Sequence, residues 1–390
     1  MKILFLEWNG FCNEDMKAAY HEIGHDVISF PFYPDNYRSD PAYEASLTKE
    51  LHKHSPDYIL TFNYYPIVSK VCNQENIPYV AWVYDSPYIT LYSYTTIFPC
   101  NYIFIFDKEF AYEFINNGIK TVHYLPLAAN TKRLDQMKDY TAFKCSSDTN
   151  AAEIAFVGSL YTEEVKSGFF RRFNRLSPYT KGYLDGVIAA QKNVFGCNFV
   201  QETLTPDIVH DMQIACPSMP NPDGVESDEY AYAQYYVNRK LTSIERGEII
   251  RLIADTHPID VYTHDQTFHN PNVVLHPPVD PYDVAPYIYK CSKINLNISL
   301  RSIKSGIPLR AFDIMGSGGF LLSNYQTDFF EFFIPGDDFA FYDSQIDLLD
   351  KINYYLRNDT ERIQMAASAH DKIIKAHTFV HRIKEIESYL

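Results

Sequence analysis

The sequence predicts an α/β protein made of two Rossmann-like domains, with a helical insertion in the second domain. Six short β-rich runs, from KILFLEW to TVHYLPL, alternate with helical patterns in the first third of the chain. A second series of six runs starts at EIAFVGSL and ends at DFAFYDS. Strands that alternate with helices indicate βαβ units, and therefore parallel sheets.

The domain boundaries follow from the same pattern. Residues 139–153, DYTAFKCSSDTNAAE, are polar and aperiodic, which is typical of a linker. We therefore expect a first domain over residues 1–150 and a second over 151–372. A long helical pattern, about residues 162–256, interrupts the second domain after its first strand. The final helical stretch, 373–390, has no strand to follow.

Composition restricts the class of function. The formal net charge of −15 argues against nucleic acid as a partner, because backbone binding needs a basic face. The seven cysteines are odd in number and form no CxxC pair, which predicts reduced thiols, a cytoplasmic location and no zinc site. The short apolar N-terminus resembles a first strand more than a signal segment.

The segment SGIPLRAFDIMGSGGFLLSN predicts a short helix of about residues 308–315 that ends at Gly316, Gly318 and Gly319. Arg310 lies in its first turn, where a cation opposes the helix dipole. An anion bound at the helix start, such as a pyrophosphate, would reverse that effect. Asp313, one turn further, could accept hydrogen bonds from two ribose hydroxyls. The alternative is a surface pair between Arg310 and Asp313, of little energetic value.

The preceding run, INLNISL, places Asn295, Asn297 and Ser299 on one face. Strands buried on both faces are usually apolar, so this polar face predicts a wet cleft at the strand's end, with Asn297 as a candidate donor ligand. The alternative is an edge strand.

Four loop residues complete the candidate binding site. Arg301 and Lys304 follow the INLNISL strand, where phosphate-contacting cations would lie; each could equally be a solvated loop charge. Gly158 and Ser159, in FVGSLY, would let a phosphate approach the backbone, or would simply form a strand-to-helix turn.

Asp85 ends the run YVAWVYD and is our candidate catalytic base, because functional groups cluster at the carboxyl ends of parallel strands. The alternative role is to cap the next helix through Ser86 and Pro87. Glu7, after the first strand, is a second candidate base. His21 and His25 have helical spacing but no third ligand, so we expect no metal there.

Basic and aromatic residues alternate within residues 166–192 of the insertion. This pattern would suit peripheral contact with an anionic membrane, or binding of a phosphorylated acceptor. The alternative is a solvated helix with an aromatic inner side. The Pro-rich segment that follows, CPSMPNPDGVESDEYAYAQYY, is a candidate lid near the donor.

The block DVAPYIYKCSKINLNISLRSIKSGIPLRAFDIMGSGGFLLSNYQTDFFEFF, followed by HTFVHRIKEI, resembles the CgeB-like (spore-maturation type) glycosyltransferases of the GT-B class. The resemblance implies a nucleotide-sugar donor held by the second domain and an acceptor approaching from the first. It assigns Asp313 to the donor ribose, and Arg310 with the turn 316–319 to the diphosphate. Ser305 stands where many retaining relatives carry a glutamate, which leaves the stereochemistry open.

The resemblance also assigns His377, Thr378 and Arg382 to a final segment that braces the first domain. The expected activity is transfer of a sugar from a nucleotide diphosphate to an unidentified acceptor: a glycan, a lipid-linked sugar, a protein or a small molecule. No metal or other cofactor is expected. The alternatives are a nucleotide-sugar epimerase, a two-lobed solute-binding protein and a non-catalytic module that binds nucleotide sugar.

Overall fold

The computed structural model describes residues 1–8, 10, 12–138, 153–162, 169–217, 221 and 223–390. Twelve strands occupy the twelve predicted runs. They are β1 Lys2–Glu7, β2 Asp26–Pro31, β3 Tyr58–Phe62, β4 Tyr79–Val83, β5 Asn101–Ile105, β6 Val122–Tyr124, β7 Ile154–Val157, β8 Ile259–Tyr262, β9 Val273–His276, β10 Ile294–Asn297, β11 Leu321–Asn324 and β12 Ala340–Tyr342.

The strands form two parallel six-stranded sheets, which confirms the predicted fold class. The first sheet has the order β2-β1-β3-β4-β5-β6, and the second has the order β12-β11-β10-β7-β8-β9. Chain order reverses between β1 and β3 in the first sheet and between β7 and β10 in the second. Open parallel sheets bind ligands beyond the carboxyl ends of their strands at such reversals.

Helices cover both sheets. In the first part of the chain they are α1 Asn13–Glu22, α2 Pro41–His54, α3 Pro66–Glu75, α4 Lys108–Asn116 and α5 Thr131–Gln136. Between β7 and β8 lie α6 Pro178–Gln191, α7 Val200–Thr203, α8 Pro206–Ala215, α9 Asp228–Tyr232 and α10 Asn238–Ala254. The rest are α11 Ala285–Cys291, α12 Leu309–Gly316, α13 Phe329–Phe332, α14 Gln345–Arg357, α15 Asp359–Ala376 and α16 Phe379–Glu387. Short 3₁₀ turns occur at Ile89–Leu91, Tyr94–Ile97 and Phe169–Arg175, and a π turn at Ala233–Val237.

The helices between β7 and β8 form the predicted insertion, which has a hydrophobic core of its own. Within the stretch 166–192, Phe170 is buried and Phe173 packs against this core, whereas Arg171, Arg172 and Arg175 are exposed. This is the arrangement of a solvated face with an aromatic inner side. Lys166 lies outside the described residues, as does most of the predicted linker. No described helix combines the length and the apolar character that a bilayer crossing requires.

A buried carboxylate joins the two domains. Asp107, just after β5, is fully buried, and its Oδ1 accepts hydrogen bonds from the backbone N and the Oγ of Ser305, both at 3.1 Å. Its Oδ2 accepts from the backbone N of Lys304 at 2.7 Å and from Ser86 Oγ at 2.9 Å. A Cβ on Gly306 would lie 2.8 Å from the Asp107 Cα, so glycine at 306 permits this close approach of the two domains.

Lys304 belongs to this contact between domains. Its ammonium group pairs with Glu113 of α4, and burial lowers its pKa. The structure thus gives Lys304 a role in the contact between domains, and its contact with the donor stays a prediction.

The C-terminal segment packs against the first domain. Arg382 donates from Nε to the carbonyl oxygen of Pro126 at 2.8 Å, and from Nη2 to that of Leu127 at 3.2 Å. The Ala129 backbone N donates to the His377 carbonyl at 3.1 Å, and the Thr378 side chain takes part in the capping box of α16. All three residues that the resemblance assigned to a brace thus make structural contacts.

The same interface predicts a pH-dependent stability. Asp328 accepts from the Lys108 backbone N at 3.2 Å, and burial followed by the nearby charge of Asp107 raises its pKa to about 7. The folded chain should therefore keep this proton while the unfolded chain loses it, so the free energy of unfolding should fall as pH rises from about 4 to about 7. In Asp328→Asn this contribution should be absent, and the variant should gain stability relative to wild type as pH rises.

Urea titrations of both proteins across that window measure the difference. The exposed Asp337→Asn serves as the matched control. A constant difference between Asp328→Asn and wild type at every pH would show that Asp328 does not titrate in this range.

Candidate active site

Arg310 lies at the start of α12, at the carboxyl edge of the second sheet. Its Nη1 donates to Asn297 Oδ1 at 3.1 Å, and its guanidinium lies 5.2 Å from the centre of the Phe156 ring. A Cβ on Gly158 would stand 2.5 Å from Arg310 Nη2. The absence of a side chain at Gly158 therefore lets the guanidinium occupy the end of β7, so three predicted residues come together here.

A second arginine, which the sequence analysis missed, stands beside this group. Arg246 of α10 is buried; its Nη1 donates to the Ser159 carbonyl at 2.5 Å and its Nη2 donates to the Ile298 carbonyl. Desolvation by burial, and to a lesser extent the positive charge of Arg310, lower the pKa of Arg246 to about 10. Ser159 thus contributes its backbone oxygen, while its Oγ accepts from the Tyr161 backbone N at 3.0 Å.

Tyr161 connects a third arginine to the cluster. The guanidinium of Arg246 lies 4.8 Å from the centre of its ring, and that of Arg239 lies 5.2 Å from it. Tyr161 itself has a φ of 53°, a left-handed conformation that is rare for a large side chain. Arg239 and Arg246 are seven residues apart in the sequence, which is two helical turns. This helical spacing is the sequence pattern from which the pair could have been predicted.

The electrostatics of the cluster suit an anion. Among the described residues, no carboxylate forms an ion pair with Arg246 or Arg310, and their guanidinium groups donate to carbonyl and amide oxygens. Buried cations without a counter-ion are costly, and a bound phosphate would offset that cost through bidentate contacts. The site therefore suits a diphosphate.

The polar face of β10 is dry, which corrects one prediction. Asn295, Asn297 and Ser299 are all buried, and β10 lies between β11 and β7, so it is neither an edge strand nor open to solvent. Asn297 Nδ2 donates to Ser299 Oγ at 3.1 Å and to Ser323 Oγ at 2.9 Å. This network fixes the amide so that its oxygen faces Arg310.

Asp313 faces the first domain and not Arg310. The described residues form no ion pair or hydrogen bond with its carboxylate, so the surface-pair alternative fails. Burial first, and then the charge of Asp15 in α1, raises the pKa of Asp313 to about 8. Asp15 itself is held by Arg133, whose Nε donates to it at 2.9 Å. An unpartnered carboxyl at the domain boundary can accept hydrogen bonds from a ligand's hydroxyl groups.

Arg301 does not join the site. Its Nε and Nη2 donate to the two oxygens of Glu245 at 2.8 and 2.6 Å, and its Nη1 donates to the Val194 carbonyl at 2.9 Å. This buried pair ties the insertion to the loop after β10. The guanidinium of Arg301 is thus engaged within the fold, and its predicted contact with the donor has no support from this geometry.

The three glycines after α12 lie at the opposite end of that helix from Arg310. A Cβ on Gly316 would be 2.7 Å from the Ala129 Cβ, and a Cβ on Gly319 would be 2.6 Å from the Tyr289 carbonyl oxygen. Gly318 has a φ of 77° and makes the turn into β11. The structure therefore gives these glycines packing and turn roles, and their assignment to the diphosphate stays a prediction.

Asp85 stands across the cleft from the arginine cluster. It shares a cavity of about 400 Å³ with Tyr161 and Arg239. Its Oδ2 accepts from Asn63 Nδ2 at 2.8 Å, while Asn63 Oδ1 accepts from the Asp85 backbone N at 3.1 Å. Its carboxylate is exposed to the cleft, yet partial desolvation raises its pKa.

Two alternative assignments concern this end of the cleft: Asp85 as a helix cap and Glu7 as the base. The helical turn after Asp85 is preceded by Tyr88, so Asp85 caps no described helix. Glu7 pairs with Lys17 at 3.3 Å and accepts from Ser29 Oγ, which leaves it less suited to act as a base. No group of three metal-ligating side chains occurs among the residues that the structure describes.

The C-terminal part of the chain is similar to a known protein family. Residues 246–388 match the family model described as "Glycosyl transferase-like". The match begins at Arg246 and includes Asn297, Arg310 and Asp313. No curated protein matches the chain in sequence.

Solved structures share the whole fold at low sequence identity. A glycosyltransferase from Rickettsia africae has a TM-score of 0.55 at 11% identity, covering 100% of this chain and 97% of its own. Sucrose-phosphate synthase from Thermosynechococcus elongatus has a TM-score of 0.55 at 10% identity, covering 100% and 98%. HepE from Anabaena, in complex with UDP-glucose, has a TM-score of 0.53 at 12% identity, covering 100% and 99%. The chain therefore has the GT-B fold of these glycosyltransferases, and its residues 246–388 are similar to the glycosyl transferase-like family.

Proposed function

We propose that the protein transfers a sugar from a nucleoside diphosphate donor to an acceptor hydroxyl held in the cleft. The observation that carries the proposal is the arginine cluster of Arg246 and Arg310, which contacts, through Tyr161, the cavity that contains Asp85. The UDP-glucose bound by the similarly folded HepE makes a UDP-sugar the first donor to test.

The arginine cluster would stabilise the leaving group. As the bond between the sugar and the diphosphate breaks, negative charge develops on the departing phosphate oxygens. Fixed cations in a partly desolvated site stabilise such charge without reorganisation. Two guanidinium groups can do this in place of a metal, so we propose a metal-independent reaction. Asp313 would accept hydrogen bonds from the donor ribose.

Asp85 would act as the general base. The clamp by Asn63 fixes its carboxylate, and the raised pKa brings its basicity closer to that required for proton transfer near neutral pH. Position 305, where many retaining relatives carry a glutamate, holds a serine bound to Asp107. We therefore propose an inverting reaction, in which a protein base takes the acceptor's proton.

The finer assignments rest on the sequence resemblance. We propose a CgeB-like member of the GT-B class and a hexose as the transferred sugar, with domain boundaries at about residues 150 and 372. A cytoplasmic location is also a proposal, supported by the free thiols of five described cysteines: Cys12, Cys72, Cys100, Cys197 and Cys216.

The first prediction concerns donor binding. Arg310→Ala should weaken UDP binding by about ten- to a hundred-fold, because it removes charge-assisted hydrogen bonds to phosphate. Titration calorimetry with UDP measures the loss. Arg171→Ala, which removes an exposed arginine of the insertion, is the matched control and should bind as wild type does. Equal affinity in all three proteins would contradict the anion site.

The second prediction concerns the base. Asp85→Asn should lower kcat by about 10²–10⁴-fold while leaving UDP affinity and melting temperature unchanged. The Asn63 clamp survives, since an amide oxygen can still accept its hydrogen bond. Glu7→Gln should retain kcat. Wild-type turnover in Asp85→Asn would exclude Asp85 as the base.

The third prediction concerns the metal. Turnover should persist in excess EDTA, because guanidinium groups neutralise the leaving diphosphate. The rate with and without the chelator, followed by added manganese or magnesium, provides the measurement. Complete loss with EDTA and recovery with either metal would disprove metal independence.

A further inference from the structure

The cavity beside Asp85 is lined by four tyrosines together with polar and aliphatic residues. Its volume of about 400 Å³ is bounded by Tyr37, Tyr88, Tyr161 and Tyr235, with Pro87 and Leu300. This volume falls at the lower end of the range for small-molecule sites, about 300–1,000 Å³. Such a cavity encloses one or two sugar-sized rings but no longer chain.

The insertion supplies one wall of this cavity and is fastened to the first domain. Asp223 forms a buried ion pair with Arg38 at 2.9 Å and accepts from Ser93 Oγ at 2.8 Å. The Tyr235 hydroxyl accepts from the Ile89 backbone N at 2.7 Å. These contacts hold the wall against the turn that follows Asp85.

Tyr235 lies in the π turn Ala233–Val237. Such single π turns within helices are frequent at functional sites. On the facing side, Tyr37 is half exposed and its ring stacks on Phe32 at 5.8 Å between centroids, beside Tyr65 at 5.1 Å. The two tyrosines therefore provide ring surfaces that are already in place before a ligand binds.

The chemistry of the lining indicates the ligand. The charged groups among its described lining residues are Asp85 and Arg239. Aromatic rings pack against the C–H faces of a sugar, and phenol hydroxyls bond its hydroxyl groups. A second anion would be repelled by Asp85, and a lipid chain would need a longer groove.

We propose that this cavity binds the acceptor as an uncharged sugar ring, and that Tyr37 and the insertion residue Tyr235 determine its specificity. The inference rests on the proposed transfer reaction. In that reaction the acceptor oxygen forms a bond to the donor's anomeric carbon, its proton passes to Asp85, and the bond to the diphosphate breaks with its electron pair leaving on the phosphate.

Saturation-transfer NMR tests the proposal without turnover. The sample contains the full chain, UDP, and the methyl glycosides of glucose, galactose, mannose and N-acetylglucosamine, with glucose 6-phosphate and n-octanol as comparators. We expect ring protons of at least one methyl glycoside to receive saturation. Tyr37→Ala should weaken that binding by about ten-fold. UDP signals should be unaffected.

Two further variants make the test specific. Tyr94→Ala removes an exposed tyrosine that does not line the cavity and should bind the glycoside as wild type does. Tyr235→Phe keeps the ring and should retain measurable binding. The proposal is overturned if UDP binds but no glycoside does, if Tyr37→Ala binds the glycoside unchanged, or if glucose 6-phosphate or n-octanol binds more strongly. A missing UDP signal would instead overturn the proposed function itself.

Discussion

The arrangement of the cleft depends on one buried anion, the Asp107 carboxylate. A buried carboxylate is stable only when its oxygens accept hydrogen bonds, and Asp107 obtains these from both domains. Ser86 Oγ, from the first domain, donates to its Oδ2 at 2.9 Å, and the backbone N of Lys304, from the second domain, donates to the same oxygen at 2.7 Å. Ser86 follows Asp85 directly, and Lys304 begins the loop that leads into the Arg310 helix. The same anion therefore sets the position of both parts of the site.

This constraint explains why charged residues near the cleft divide into two groups. Lys304 and Arg301 are engaged by Glu113 and Glu245, so they fix the loop between β10 and α12. Among the described residues, Arg310 and Arg246 donate hydrogen bonds only to neutral oxygens. The first group positions the backbone and the second remains able to bind an anion. The distinction depends on which carboxylates the fold brings near, and not on the arginines or the lysine themselves.

The fold could be predicted from the sequence, whereas the site could be predicted only in part. Each strand is a local apolar run, so its identity needs no tertiary information. Arg310 was also recognisable, because a cation in a first helical turn is locally unfavourable. Arg301 looked equally suitable, but its partner Glu245 is 56 residues away. Gly316 likewise packs against Ala129, far along the chain. Such long-range pairings leave no local pattern.

The acidic composition makes the arginine cluster more informative. The chain has 49 acidic residues and 34 lysines and arginines, so carboxylates outnumber the basic side chains with which they could pair. Most described buried arginines of this fold have one: Arg38 pairs with Asp223, and Arg301 pairs with Glu245. Arg246 is equally buried and has carbonyl oxygens instead. Burying a charged group without a counter-ion costs roughly several kcal/mol, even after the surrounding structure has relaxed. In this fold the charge of Arg246 lies beside a second guanidinium group, that of Arg310. Binding of a phosphate would lower the electrostatic free energy of this pair. The diphosphate of a nucleotide-sugar donor would supply such a phosphate.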